Sequence, residues 1–171
     1  MTGPRHFGAI TPDLSGRPTL MIAREFAATP ERLWQAWARP EEMVRWLGPV
    51  EWPATRVEAV LQVGGAWRAC LTARDGGDVL WQSGRYLDVD PPNLLRFTFR
   101  WEGTNHEDGP GVETVVTVRF ERLVGGRTRL TLTHEGLASE RSAGGHADGW
   151  GSTLGRLEEH LQTERGDRPC N

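Results

Sequence analysis

Hydrophobic positions recur with two different periods along the chain. From Thr19 to His134 they recur mostly at every second residue, and near the C-terminus at every third or fourth. The cleanest alternating stretch is Leu95, Phe97, Phe99 and Trp101, interleaved with Arg96, Thr98 and Arg100. That is a half-buried strand. Further strands are predicted over 19–27, 56–61, 66–73, 79–89, 112–120 and 127–134. Gly64-Gly65, Arg74-Asp75-Gly76-Gly77, Asp90-Pro91-Pro92-Asn93 and Gly125-Gly126 supply the turns between them. Gly84 interrupts its strand, and a bulge or bend is expected there.

Two short helices interrupt this pattern after the first strand. Thr29 is placed as an N-cap, with Pro30 in the first helical position and Glu31 at the positive end of the dipole. Pro40 stops this helix and starts the next, which Gly48-Pro49 ends. The long helix is read over 145–164. Trp150, Leu154, Leu157 and Leu161 form its apolar stripe, and Gly149, Gly151 and Gly155 lie in or beside its first half. Each interior glycine costs about 1 kcal/mol relative to alanine. Either strands approach the helix closely there, or the glycines leave open volume beneath it.

These elements define an α+β fold: a curved antiparallel sheet of six to seven strands, with one long C-terminal helix over its concave face. Residues 19–164 make a single domain. Residues 1–18 read as a flexible N-terminal tail, and 165–171 as a polar C-terminal tail.

Composition narrows the function classes. The chain has 171 residues and a net charge of −3, which favours neither nucleic acid nor an anionic membrane. All 20 basic residues are arginine, so lysine Schiff-base chemistry is excluded. No signal peptide or membrane span is visible, and the cytoplasm is the expected compartment. Cys70 and Cys170 are read as free thiols. There is no nucleophile elbow, P-loop, HExxH or CxxC pattern. His106, Glu107, Asp108, His146 and Asp148 lack metal-ligand spacings, so neither a metal nor a cofactor is expected. The loop at 103–111 is read as a rim of a pocket.

The chemistry would then reside in a cavity between sheet and helix. Its candidate lining is Trp34, Trp46, Trp67, Trp81, Tyr86, Phe97, Phe99, Trp101, Leu132, His134, Trp150 and Leu154. Core packing is the plain alternative for each aromatic. His134 shares a strand face with Leu130 and Leu132. It is the best candidate for acid–base work, against a structural, hydrogen-bonded histidine. One of Arg24 and Glu25 must face inward, as half of an ion pair or as a ligand anchor. Arg68, Gln82, Arg96 and Arg100 are assigned mainly to the solvated convex face.

Several motifs carry a resemblance. They are Arg24-Glu25-Phe26, the run from Thr29 to Trp34, Trp46-Leu47-Gly48-Pro49, Gly64-Gly65-Ala66-Trp67-Arg68, Gly84-Arg85-Tyr86, Asp90-Pro91-Pro92-Asn93-Leu94, the run from Thr131 to Leu137, and Gly149-Trp150-Gly151. In this order the chain resembles the helix-grip superfamily of START lipid-transfer domains, aromatic polyketide cyclases and the birch pollen allergen (SRPBCC). Within it, the chain is similar to the family named after the C-terminal domain of the heat-shock protein 90 ATPase activator. That family often has two tryptophans before Gly-Pro, where this chain has Trp46-Leu47. The resemblance covers residues 19–163 and implies a fold that hosts binders, carriers and enzymes. The leading expectation is a protein that binds a hydrophobic or aromatic small molecule, lipid or polyketide-like. A cyclase- or hydrolase-type enzyme using His134 is the alternative, and a co-chaperone-like module with a chaperone partner is the third. A homodimer is compatible with all three.

Overall fold

The computed structural model describes residues 6–103 and 112–166. In chain order these form β1 (His6–Pro12), β2 (Pro18–Phe26), α1 (Pro30–Ala38), α2 (Pro40–Trp46), β3 (Ala54–Ala59), β4 (Ala66–Thr72), β5 (Val79–Asp90), β6 (Leu94–Glu102), β7 (Thr114–Leu123), β8 (Arg127–Glu135) and α3 (Glu140–Gly166). The expectations about Cys170, residues 167–171, the His106–Asp108 cluster and the rim loop at 104–111 lie outside the described residues. No described helix is long and apolar enough to cross a membrane.

The strands form one 8-stranded sheet in the order β1-β2-β8-β7-β6-β5-β4-β3. Every neighbouring pair is antiparallel. From β3 to β8 it is a meander, and β2 closes against β8 with Leu20 opposite His134 and Ile22 opposite Leu132. α3 packs across the face carrying Leu20, Ile22, Leu130 and Leu132, all buried, and adds Leu154, Leu157 and Leu161 to the core. This face is called inner below.

The strand count exceeds the expected six to seven because residues 6–12 are not a loose tail. They pair with β2, placing Gly8 opposite Ile22 and Ile10 opposite Leu20. The connection is a tight turn. The Asp13 carboxylate accepts from the backbone N–H of Ser15 at 2.8 Å and of Arg17 at 2.9 Å. Gly16 takes the left-handed conformation at φ 83°. An edge strand pairs on one side only and buries little, so it leaves no hydrophobic alternation to read.

The two short helices start as their sequences dictate. The Thr29 hydroxyl accepts from the Arg32 N–H at 3.2 Å, and Pro30 and Pro40 occupy first-turn positions. Trp46 is fully buried, and its Nε1–H donates to the Ala36 carbonyl at 3.0 Å.

α3 begins five residues before the periodicity does (Glu140, against the expected 145). Ser139 provides the start: its hydroxyl accepts from the Ser142 N–H at 3.1 Å and its carbonyl from the Ala143 N–H at 2.9 Å. The bulge expected at Gly84 falls instead between Tyr86 and Asp88. Gly84 answers to a close approach: a Cβ there would lie 1.8 Å from the Thr98 carbonyl oxygen and 2.6 Å from Trp67 Nε1.

The Arg24–Glu25 pair resolves into two roles. Arg24 faces inward and pairs with Glu158 of α3. Glu25 lies on the outer face, 3.5 Å from both Arg127 and Arg129.

Candidate functional site

A cleft of about 350 Å³ opens beneath the N-terminal half of α3. Leu71, Leu80, Gln82, Phe99 and Trp101 rise from β4, β5 and β6 on one side. Gly145, His146, Gly149, Trp150 and Thr153 of α3 face them. The third wall is the connection from α2 to β3, through Leu47, Gly48, Pro49 and Trp52. Arg141 and Ser142, in the first turn of α3, complete the lining.

Two properties of the helix create this space. Its C-terminal half carries the leucine stripe into the core, whereas its first half turns Ser142, Gly145, His146, Gly149 and Thr153 toward the cleft beside Trp150. Furthermore, a Cβ at Gly145 or Gly149 would meet no other group within 4 Å. These glycines therefore do not serve a close approach of strands to helix. Gly155 does sit near the sheet side, where a Cβ would lie 3.8 Å from the Arg24 guanidinium.

The third wall is fixed to α3. Arg156 donates from Nη1 to the carbonyls of Leu47 at 2.8 Å and Gly48 at 2.9 Å, and from Nη2 to that of Arg45 at 3.1 Å. Burial, with Arg74 nearby, lowers its pKa from the ordinary arginine value. The Val50 N–H donates to the Ser152 hydroxyl at 2.9 Å. Gly48, at φ 85°, is required because a Cβ would fall 2.3 Å from the Trp52 carbonyl.

Behind the cleft runs a directional hydrogen-bond relay. Trp150 Nε1–H can only donate, and its partner at 3.1 Å is His134 Nδ1. His134 is therefore neutral, with its proton on Nε2. That proton goes to Thr114 Oγ1 at 2.7 Å, and the Thr114 hydroxyl donates onward to the Phe99 carbonyl at 2.9 Å. Burial, reinforced by the neighbouring His146, holds the His134 pKa well below its ordinary value. The imidazole is fully buried and both nitrogens are bonded. It braces the sheet against α3 and does not line the cleft.

His146 does line it. Its Nε2 accepts from Trp101 Nε1–H at 3.1 Å, so Nδ1 carries the proton and donates to the Ser142 carbonyl at 2.8 Å. Trp101 and Phe99 are held edge-on to one another, with ring centroids 5.5 Å apart.

A smaller chamber of about 20 Å³ lies deeper, lined by residues that include Trp37, Trp67, Tyr86, Leu95 and Phe97. Gln82, Leu47 and Trp150 border both spaces. Burial pushes the Tyr86 hydroxyl up to about 12.

The twelve residues proposed from sequence therefore separate by place. Phe99, Trp101 and Trp150 border the main cleft. Trp67, Tyr86 and Phe97 border the inner chamber, as Trp150 also does. Trp34, Trp46, Leu132 and Leu154 are core, with Trp34 edge-on to Phe120 at 5.9 Å. Trp81 must be moved to the outer face. Leu80 and Gln82 point inward, so the residue between them points out, where the Arg68 guanidinium lies 3.8 Å from its ring centre. The same alternation corrects Gln82, which is buried on the inner face and not solvated on the outer one. Trp52, Leu80 and His146 were absent from the sequence-based set. His146 was legible in principle, four residues before Trp150 and hence on its face of the helix.

Away from the cleft, Glu42, His160 and Glu164 bring ligand-type atoms within 4.8 Å of one another. Arg32 pairs with both carboxylates, and His160 Nε2 lies 2.9 Å from Glu42. The cluster is an ion-pair network joining α1, α2 and α3.

Comparison with solved structures places this architecture among known ones. The chain resembles protein CV1439 from Chromobacterium violaceum at 27% identity and a TM-score of 0.74, over 82% of this chain and 94% of that one. It resembles the AHSA1 protein from Silicibacter pomeroyi at 28% identity and a TM-score of 0.73, over 85% and 99% of the two chains. A protein from Arthrobacter aurescens matches at 25% identity and a TM-score of 0.75, over 95% and 93%. Among curated proteins none matches. The sequence profile described as "Activator of Hsp90 ATPase homolog 1-like protein" matches residues 27–162. The chain belongs to that family.

Proposed function

We propose that the protein binds a hydrophobic or aromatic small molecule, lipid or polyketide-like, in the cleft beneath the first half of α3. The observation that carries this reading is the pair Gly145 and Gly149. Each disfavours the helix by about 1 kcal/mol relative to alanine, and a methyl group would fit at either position without a contact. Of the four α3 glycines whose Cβ would meet nothing within 4 Å, these two border the cleft, and the space beside them is lined mainly by apolar and aromatic groups. A cleft of about 350 Å³ with few polar groups is the size and character of a small-molecule site.

His134 acts in this account as a structural brace. Acid–base catalysis would need a free nitrogen in reach of substrate, and both of its nitrogens are committed within the protein. The co-chaperone reading rests on the family's name and on no residue of the cleft.

Native mass spectrometry against a panel of fatty acids and polycyclic aromatic phenols tests the proposal. The expected result is a one-to-one adduct that Gly149→Leu abolishes while remaining folded, because its side chain fills the cleft. Absence of any adduct across the panel would overturn it.

A further inference from the structure

The inner chamber is bordered by three side chains able to hydrogen-bond, Trp37, Gln82 and Tyr86. Trp37 borders it and is almost completely buried, and its Nε1–H has no hydrogen-bond partner. A buried donor without a partner costs about 1–3 kcal/mol. Tyr86 and Gln82 border the same chamber, and among the described residues nothing hydrogen-bonds to the Tyr86 hydroxyl or the Gln82 amide. Three hydrogen-bonding side chains thus surround one small space. Its volume, about 20 Å³, exceeds the roughly 10–15 Å³ that a single water requires. It is far too small for a ring or an alkyl chain.

From this we infer that the inner chamber is a subsite for one oxygen atom, a water's in the free protein and the ligand's own hydroxyl or carbonyl oxygen in the complex. The inference rests on the binding function proposed above and deepens it. The ligand is an apolar body tipped by a neutral oxygen, with the body under α3 and the oxygen entering past Gln82, Leu47 and Trp150. Trp37 Nε1–H donates to that oxygen. The Tyr86 hydroxyl, kept protonated by burial, accepts from it or donates to it. The Gln82 amide, at the border of both spaces, serves either a hydroxyl or a carbonyl. A charged headgroup is disfavoured, because the chamber contains no cation or anion to balance it.

The test compares 2-naphthol with its isostere 2-methylnaphthalene by equilibrium dialysis, on wild type, Tyr86→Phe and Gln82→Leu. The ratio of the two dissociation constants cancels the apolar contribution of the shared rings. Each variant is expected to shift that ratio against 2-naphthol by about tenfold, the worth of one lost hydrogen bond of about 1.4 kcal/mol. Affinity for 2-methylnaphthalene should stay within about twofold. An unchanged ratio in both variants, with both probes still binding, would overturn the subsite and leave the cleft standing. Failure of both probes to bind wild type would overturn the cleft reading and this inference together. Both substitutions preserve side-chain shape closely, and thermal melts establish that the variants are folded before the comparison is made.

Discussion

Trp150 Nε1–H donates to His134 Nδ1 at 3.1 Å, joining the middle of α3 to the end of β8. One donor thereby sets the tautomer of a fully buried histidine and the direction of the relay through Thr114 to the Phe99 carbonyl. Trp150→Phe keeps an aromatic ring and removes the donor. His134 Nδ1 is then a buried acceptor without a partner, a cost of about 1–3 kcal/mol before any loss of packing. Urea unfolding should show wild type more stable by at least that amount. Equal midpoints would show that the bond contributes nothing to holding α3.

The same relay predicts a pH dependence. Burial lowers the folded-state pKa of His134 below 6.5, the unfolded value. The unfolded chain therefore binds a proton first as pH falls, and stability drops from about 6.5 downwards. Above that pH both states are neutral at this position and the contribution is constant. The loss from this residue should reach about 1.4 kcal/mol by pH 5.5. Carboxylates held below their usual range, such as Glu42 and Glu102, titrate lower and leave this window clear. The difference in unfolding free energy between wild type and His134→Gln, measured at pH 7.5 and 5.5, isolates the effect. A difference that does not change with pH would contradict the neutral, buried assignment.

Period alone carried most of the fold. The alternation of Leu95–Trp101 and the stripe Trp150–Leu161 are facts about burial, and burial is what a hydrophobic pattern records. The two short helices were legible from Thr29-Pro30 and Pro40, where capping chemistry is local. Residues 6–12 were not, because edge pairing is made by backbone groups and leaves no trace in side-chain type. The site was less legible than the fold. Gln82 and Trp81 differ by one residue in register, and polarity points the wrong way for both. The polar one lines the cleft and the apolar one lies outside under Arg68. An aromatic count marks core and cleft alike, so Trp34 and Trp46 could not be told from Trp101 without coordinates.

Gly149→Ala should stabilise the protein. The added methyl meets nothing within 4 Å and removes a helix-interior glycine, worth about 1 kcal/mol. Differential scanning calorimetry is expected to show a raised Tm. A lowered Tm would mean that the helix needs glycine for a reason other than open volume.

Gly84→Ala is expected to do the opposite. Its Cβ would overlap the Thr98 carbonyl and displace Trp67 Nε1, which donates to that same carbonyl at 3.0 Å. Both partners are backbone or a packed indole, so neither can move aside cheaply. The loss should exceed about 3 kcal/mol, read as a collapse of the circular-dichroism melt. A variant with wild-type stability would show that β5 and β6 are further apart than they stand here.

The binding claim has its most direct test in the indole N–H region of the proton–nitrogen NMR spectrum during a titration with 2-naphthol. Trp52, Trp101 and Trp150 border the cleft, while Trp34 packs against Phe120 and Trp81 lies on the outer face. Saturable shifts of the first three, with Trp34 and Trp81 unmoved, are the result predicted. Shifts confined to Trp34 and Trp81, or no saturable shift of any indole, would contradict a ligand site beneath α3.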